Sequence, residues 1–394
     1  MNESSIERAY DVVIVGARVA GTATAMLLAS LGFRVLVFDK SRFGSDTLST
    51  HALMRPAVLL LNRWGITDRL DAEGTPRIRR TTFVYSDEHG TETIPIEINS
   101  RRGVDALYAP RRTVLDRVMA EAAADAGATV RHGVTLTNLL HDRSGRVSGV
   151  RVVDELGQVQ EVQANLVIGA DGRRSTVARL VSAIPYVWGR HATSSAFGYF
   201  DGIPVDGNRW YYRPGFGCGA IPTNHGQTCL FVATPNAFEA RSPSERLREF
   251  QRAVELSAPD IAAYLPEAKL SGRLRSFPGM RGFLRQPWGE GWALVGDAGY
   301  MSDPISAHGI TNALRDADIL SRTIAEGASL AEYQTARDDL SLRFFELSDR
   351  VASYDWDIPT VKQYHRIMSR EMGREEEAMV AGSGRPSLRS VACG

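Results

Sequence analysis

The sequence predicts an α/β chain in which a parallel sheet covered by helices is interrupted by a second β-sheet domain and followed by C-terminal helices. Three observations carry this prediction. Asp11 to Lys40, "DVVIVGARVAGTATAMLLASLGFRVLVFDK", reads as strand, glycine turn, helix and strand. The same rhythm returns in "LVIGADGRRSTVARL" and again in "GWALVGDAGYMSDPISAHGITNALRDADILSRTIAEG". Between these pieces lie β-like stretches rich in aromatics.

The first unit begins with Val12 to Val15, a continuous apolar run suited to a parallel strand buried on both faces. Gly16 ends it, Leu27, Leu28 and Leu31 then recur at helical spacing, and Gly32 supplies a stop. "RVLVFD" is a second buried strand and closes on Asp39, about twenty residues past the glycines, where a Rossmann-like fold places a carboxylate for the adenosine ribose. Within "GARVAG", Gly16, Ala17, Ala20 and Gly21 fit a dinucleotide fingerprint, but Arg18 stands where its middle glycine belongs. An arginine there either lies alongside the phosphates, which its planar fork suits, or points to solvent or another part of the site. Both readings stay open at this stage.

Leu53 to Leu70 reads as two short helices broken near Gly65, and "TTFVYSDEHGTETIPIEI" as two strands around a polar turn. "RRTVLDRVMAEAAADAG" is helical, and Thr129 to Val162 reads as a small antiparallel meander. Tyr186 to Val232 predicts the second sheet, with Tyr199, Trp210, Tyr211, Tyr212 and Phe216 along it. The divisions follow as 8–75, 101–182 and 276–330 for the nucleotide domain, 76–100 and 183–275 for the β-sheet domain, 331–379 for C-terminal helices and 380–394 for a loose tail. Trp356 and its phenylalanine neighbours read as packing or homodimer contacts.

With 394 residues the chain supports a large core, and 46 basic against 46 acidic residues argue against nucleic acid or an anionic membrane as partner. A small-molecule substrate is expected. Cys218, Cys229 and Cys393 match no metal pattern and suit reduced thiols in a cytoplasmic protein. No signal peptide, transmembrane-length run or internal repeat is apparent.

Together "GARVAG" with Asp39, "GADGRRSTVAR" and "GDAGYMSDPISAHGI" resemble the para-hydroxybenzoate hydroxylase-like FAD proteins, a GR2-type flavoprotein superfamily. It includes aromatic monooxygenases, halogenases and geranylgeranyl reductase-like enzymes, and the resemblance covers most of residues 10–330. It implies bound FAD with its pyrophosphate at the helix following Gly16 and its ribose on Asp39, beside Lys40. "RRTVLDRVM" resembles the family's R-x-x-L-D helix start, which would bring Arg112 to the ribityl or phosphate region. Asp297 resembles the acid that binds the ribityl chain, Pro304 the proline near the ring, and Gly309 and Ile310 the N–H donors that stabilise reduced flavin around N1 and O2. Asp171 and Gly172 belong to the segment shared by FAD and NADPH, which implies NADPH (or NADH) as a transient reductant, with Arg173 and Arg174 at hand for a phosphate.

The third motif departs from the monooxygenases' P-P-x-x-G-Q-G, reading D-P-I-S-A-H-G with His308 at the glutamine position. Its Asp-Pro pair leans toward halogenases and reductases, but halogenation is disfavoured. "GFGCGAIP" lacks the halogenases' tryptophans, and Lys40 is the only lysine before Lys269. The "RFGSDTLSTHALMRP" segment matches a subgroup sharing G-A-R and G-D-A-G-Y, and it is expected to bring Arg42 to the flavin's phosphate or ribityl region and His51 to the ring. His51 and His308 are the candidate proton-transfer groups, and Tyr211 and Tyr212 the candidate pocket walls. The expected activity is NADPH- and oxygen-dependent hydroxylation of a small aromatic or polyketide-like molecule, the reduced flavin activating molecular oxygen. The alternatives are reduction of carbon–carbon double bonds in an isoprenoid, or flavin binding without turnover.

Overall fold

The computed structural model describes residues 6–47, 51–236 and 242–382. Leu48 to Thr50 of the "DTLSTH" segment, Cys393 and most of the 380–394 tail lie outside them.

The predicted first strand, Ala9–Val15, is central in an eight-stranded sheet. It pairs in parallel with Val35–Asp39 on one side and Val159–Gly169 on the other. Thr129–His132 and Trp292–Leu294 extend the parallel set. Alternation along the strand divides its side chains. Val12 and Ile14 pack with the helices Val19–Ser30, Arg112–Asp125 and Gly309–Ala325. Val13 and Val15 pack with the antiparallel pair Thr135–His141 and Val147–Val153 and the short helix Thr176–Leu180. Burial on both faces explains why the strand reads as unbroken apolar sequence rather than alternating.

Thr129–His132 corrects the predicted meander. The helix Arg112–Asp125 ends beyond Ala126 at Gly127, whose φ of +100° turns the chain, and the following strand runs parallel to Val35–Asp39 as a crossover connection does. Only the strands after it form the antiparallel ribbon.

The second sheet has seven strands, and the hairpin Arg80–Asp87 and Gly90–Glu97 joins it at one edge by a parallel pairing with Asn208–Arg213. One face packs on the helix Pro243–Ser257 through Phe200, Cys218, Leu230, Phe250 and Val254. That helix starts with a capping box: Ser242 accepts from the Glu245 N–H, Glu245 accepts from the Ser242 N–H, and Pro243 occupies the first turn. The other face, with Phe197, Tyr199, Trp210, Tyr212 and Phe231, is continuous with the core of the first sheet's helical side. Pro185–Trp188 departs from the expected second sheet and pairs with Phe283–Arg285 in a small three-stranded sheet.

Helices Leu330–Ala352 and Ile358–Ala381 lie over this junction, with Trp356 buried and donating to the Val351 carbonyl at 2.9 Å. Cys218 and Cys229 are buried free thiols. Among the described residues no helix is long and apolar enough to cross a membrane, and no cluster of potential metal ligands occurs.

Candidate functional site

The glycine turn after Ala9–Val15 explains which fingerprint positions must be glycine. Gly16 adopts φ +106°, and a Cβ there would come within 2.4 Å of the Ala170 carbonyl oxygen. At Gly21 a Cβ would lie 1.8 Å from the Gly16 oxygen. These are the tight-turn and close-packing glycines of a dinucleotide site. The middle position is different: Arg18 is extended, with φ −103° and ψ −170°, a conformation any residue adopts. Its guanidinium turns to the neighbouring helix, where Nη1 lies 2.9 Å from Asp116 Oδ2, and it also donates to Ser45 Oγ at 3.3 Å. Asp116 accepts as well from Arg112 Nε and Nη2, at 3.1 and 2.8 Å from Oδ1.

Asp39, at the end of the second strand, accepts from the Ala17 N–H at 3.0 Å and the Ser41 N–H at 2.7 Å, tying the strand end to the glycine turn. A cleft lined by Ala17, Arg18, Asp39, Ser41, Ser45 and Asp116 opens here. No side chain caps the Val19–Ser30 helix, so its first N–H groups remain available to an anion. The cradle fits a dinucleotide: Gly16 and Gly21 are steric necessities, the helix N-terminus faces the cleft, and a carboxylate closes the neighbouring strand. Lys40 is exposed at its margin. Arg42 lines the cleft, but its mostly exposed side chain reaches toward Glu155 at 3.6 Å.

The third motif converges on the same helix. Gly296 has φ +59°, and a Cβ on it would meet Ala20 Cβ at 2.9 Å, so the turn packs against the fingerprint helix. Asp297 follows in a short 3-10 turn, Gly296–Ala298, partly accessible at the margin of the packed helices. Burial pushes its carboxyl up to about 6, against the opposing pull of Arg173 and Arg112. Asp303 accepts from the Ile305 and Thr193 N–H groups at 2.9 and 2.8 Å, shaping the loop that exposes Pro304. Ala307 takes φ +50°, and the helix Gly309–Ala325 begins after it with Gly309 exposed, Ile310 buried and no side-chain cap. Gly16, Ala17, Arg18, Ala20, Gly21, Asp39 and Asp297 thus come together around one helix N-terminus.

Two expected site residues, one a cofactor ligand and one a proton-transfer group, are placed otherwise. Asp171 accepts from Ser175 Oγ at 2.5 Å and the Thr176 N–H at 2.6 Å, so it caps its own short helix, with Gly172 at φ +79° beside it. His308 is buried, and its Nε2 lies 2.7 Å from Glu375 Oε2 on the last helix. Glu375 Oε1 accepts from Arg315 Nη1 at 3.1 Å, and the His308 ring packs on Phe344 with centroids 4.3 Å apart. This geometry makes His308 a bridge to the C-terminal helices and gives no support to a proton-transfer role.

His51 is buried at the inner face of the second sheet, its Nδ1 3.2 Å from the Tyr199 hydroxyl. The Arg111 guanidinium lies over the Tyr199 ring, 3.5 Å from its centroid. Arg111 also donates to Gln227 Oε1 at 2.9 Å and lies 3.7 Å from Asp46, which Arg275 approaches to 2.8 Å. Burial holds the Tyr199 phenol well above its ordinary range, so it stays protonated. Tyr212 shares this inner face and packs on His365 at 4.3 Å, whereas Tyr211 faces the other side and donates to Asp260 at 2.9 Å. Arg173 reaches Phe277, 4.9 Å from its ring centroid, while Arg174 is exposed.

Sequence reasoning missed Asp116, Glu375, Arg111 and Asp46. Asp116 is the acid of the R-x-x-L-D motif itself, four residues after Arg112, so an i,i+4 pair was there to be read. Nothing local marks Glu375.

The chain is 28% identical over 337 residues to digeranylgeranylglycerophospholipid reductase of Methanosarcina acetivorans, covering 81% of this chain and 76% of the relative. It is 28% identical over 348 residues to menaquinone reductase of Mycolicibacterium smegmatis, covering 83% and 78%. Among solved structures, the flavin-dependent brominase Bmp2 superposes with a TM-score of 0.74 at 20% identity over 97% of both chains. PqsL of P. aeruginosa, in complex with 2-aminobenzoylacetate, gives 0.71 at 18% identity over 93% of this chain and all of that one. These structural likenesses concern the fold. The model of the FAD binding domain matches residues 9–341, and the chain belongs to that family of FAD-dependent oxidoreductases.

Proposed function

We propose that the protein is an NADPH-dependent monooxygenase that hydroxylates a small aromatic or polyketide-like molecule bearing an acidic hydroxyl. The observation that carries this reading is the polar group set into an aromatic wall. Tyr85, Trp210, Tyr212 and Phe231 line the inner face of the second sheet, and His51, Tyr199 and Arg111 form a hydrogen-bonded and stacked set on it. Aromatic walls suit a planar ring and exclude water, while a guanidinium and a histidine suit its hydroxyl. A purely hydrocarbon substrate has no use for them.

Bound FAD supplies the electron transfer from NADPH and the activation of oxygen. Gly16, Gly21 and the Val19–Ser30 helix would hold its diphosphate, Asp39 its ribose and Asp297 its ribityl chain. The N–H groups at Gly309 and Ile310 would stabilise negative charge on the reduced ring. His51 would take the proton of the substrate hydroxyl, with neutral Tyr199 orienting the imidazole and Arg111 steadying the anion formed.

The curated relatives favour a second reading, saturation of carbon–carbon double bonds, and the Asp303-Pro304 pair leans the same way. One experiment separates them: oxygen uptake beside NADPH oxidation on flavin-loaded protein with phenolic, quinone and polyene compounds. Uptake stimulated by a phenol and matched by an oxygenated product supports hydroxylation. A saturated product formed without oxygen overturns it in favour of the reductase.

A further inference from the structure

We infer that Arg18 is a diphosphate ligand of the bound FAD, held in place by Asp116 as half of a two-arginine clamp. The inference rests on the flavin site described above. A side chain at the middle fingerprint position has to leave room for the cofactor, and Asp116 gives it a fixed direction. The carboxylate sits on the adjacent helix, 10% exposed, and grips Arg18 from one oxygen and Arg112 chiefly from the other. Arg18 is 28% exposed and Arg112 is 9% exposed, so both are closed in, but Arg18 keeps a face to the cleft that it lines with Asp116.

Donor geometry points to the ligand. Two guanidiniums share one carboxylate beside a helix N-terminus, and the Asp39 carboxylate balances the charge that remains. Asp39 is engaged with the Ala17 and Ser41 N–H groups. His132, also on this cleft, is pushed by burial toward its neutral form and adds no cation at neutral pH, and Arg42 reaches toward Glu155. A guanidinium fixed beside uncapped helix N–H donors suits a phosphate, which it binds in a bidentate fork. The arginine thus replaces the close backbone approach that a glycine permits with a side-chain contact.

The test is titration of the full-length apoprotein with FAD, read by flavin fluorescence, and with ADP, read by calorimetry. Arg18→Ala is expected to weaken both by about ten- to a hundredfold, the scale of one charge-assisted hydrogen-bonded contact. Arg18→Lys keeps the charge without the fork and is expected to fall between, and it carries the test if the alanine variant does not fold. Wild-type affinity should fall more steeply with salt than that of Arg18→Ala. Arg34→Ala, which removes an exposed partner of Asp11, serves as the unchanged control. Arg18→Ala binding both FAD and ADP within twofold of wild type overturns the clamp. Wild-type protein that binds ADP through Arg18 but takes no FAD keeps the clamp and overturns the flavin assignment instead.

Discussion

Replacing Glu375 with alanine should loosen the attachment of the C-terminal helix to the third motif. The carboxylate is 2% exposed and accepts two charge-assisted bonds, from His308 at 2.7 Å and Arg315 at 3.1 Å. Breaking a buried ion pair by deleting one partner costs about 3–5 kcal/mol. The lower end applies here, because Arg315 keeps its bonds to Asp316 Oδ1 at 3.0 and 2.7 Å and is not orphaned. About 3 kcal/mol in a chain of this size corresponds to a fall in Tm of roughly 4 °C.

Far-UV circular dichroism on the flavin-loaded protein measures it, with Glu375→Gln expected to lose about half as much. The pH dependence has a definite sign. Burial pushes the Glu375 carboxyl up, but His308 and Arg315 together pull harder and hold it below its ordinary value. A depressed carboxylate stabilises above its unfolded pKa and loses that contribution as pH falls through the folded one. The gap between wild type and variant should therefore be full at pH 7 and narrow below about pH 4. A shift under 1 °C at pH 7, or a gap that widens on acidification, would refute the reasoning.

Asp297→Asn should stabilise the apoprotein at pH 7 while weakening FAD. Its carboxyl is raised to about 6 in the fold, so the charged form opposes folding above that pH by up to about 3 kcal/mol, and the advantage of asparagine should vanish below about pH 4. Gly16→Ala places a Cβ 2.4 Å from a backbone oxygen at φ +106°, and is expected to cost at least about 3 kcal/mol and to abolish flavin retention, read by the 450 nm band. His51→Gln should lower substrate-stimulated oxygen uptake by about a hundredfold with FAD affinity unchanged; equal loss of both would make His51 a packing residue.

The parallel sheet and the fingerprint were legible because they are local. An apolar run, a glycine, a helical repeat and an acid lie within thirty residues, and each follows from backbone sterics or burial on two faces. The site's ionic wiring was not, because its partners are brought together only by the fold: Arg18 and Asp116 stand 98 positions apart, and His308 and Glu375 stand 67 apart. Tyr211 and Tyr212 illustrate a different limit. Both read as pocket aromatics, yet alternation along one strand sends them to opposite faces, and only the packing of the Pro243–Ser257 helix decides which face is inner. Asp171 sits in a recognisable motif but satisfies its own helix, which a resemblance to the motif alone does not reveal.

The order in which the strands neighbour one another also bears on how the chain reaches this state during synthesis. Tyr10 pairs with Ala164, so the central strand waits for about 150 residues before its second edge is covered. At ribosomal rates of roughly 5–20 residues per second, that is on the order of ten to thirty seconds with the backbone N–H and C=O groups of that edge unpaired. The parallel partner of Arg80–Asp87 is made more than a hundred residues later, and Glu375 is made 67 residues after the His308 that it holds. Such long-range pairing folds slowly and leaves unpaired strand edges prone to intermolecular association. Yield of this protein from a heterologous host is therefore expected to respond to slower translation and to early flavin supply more than to any change at its surface.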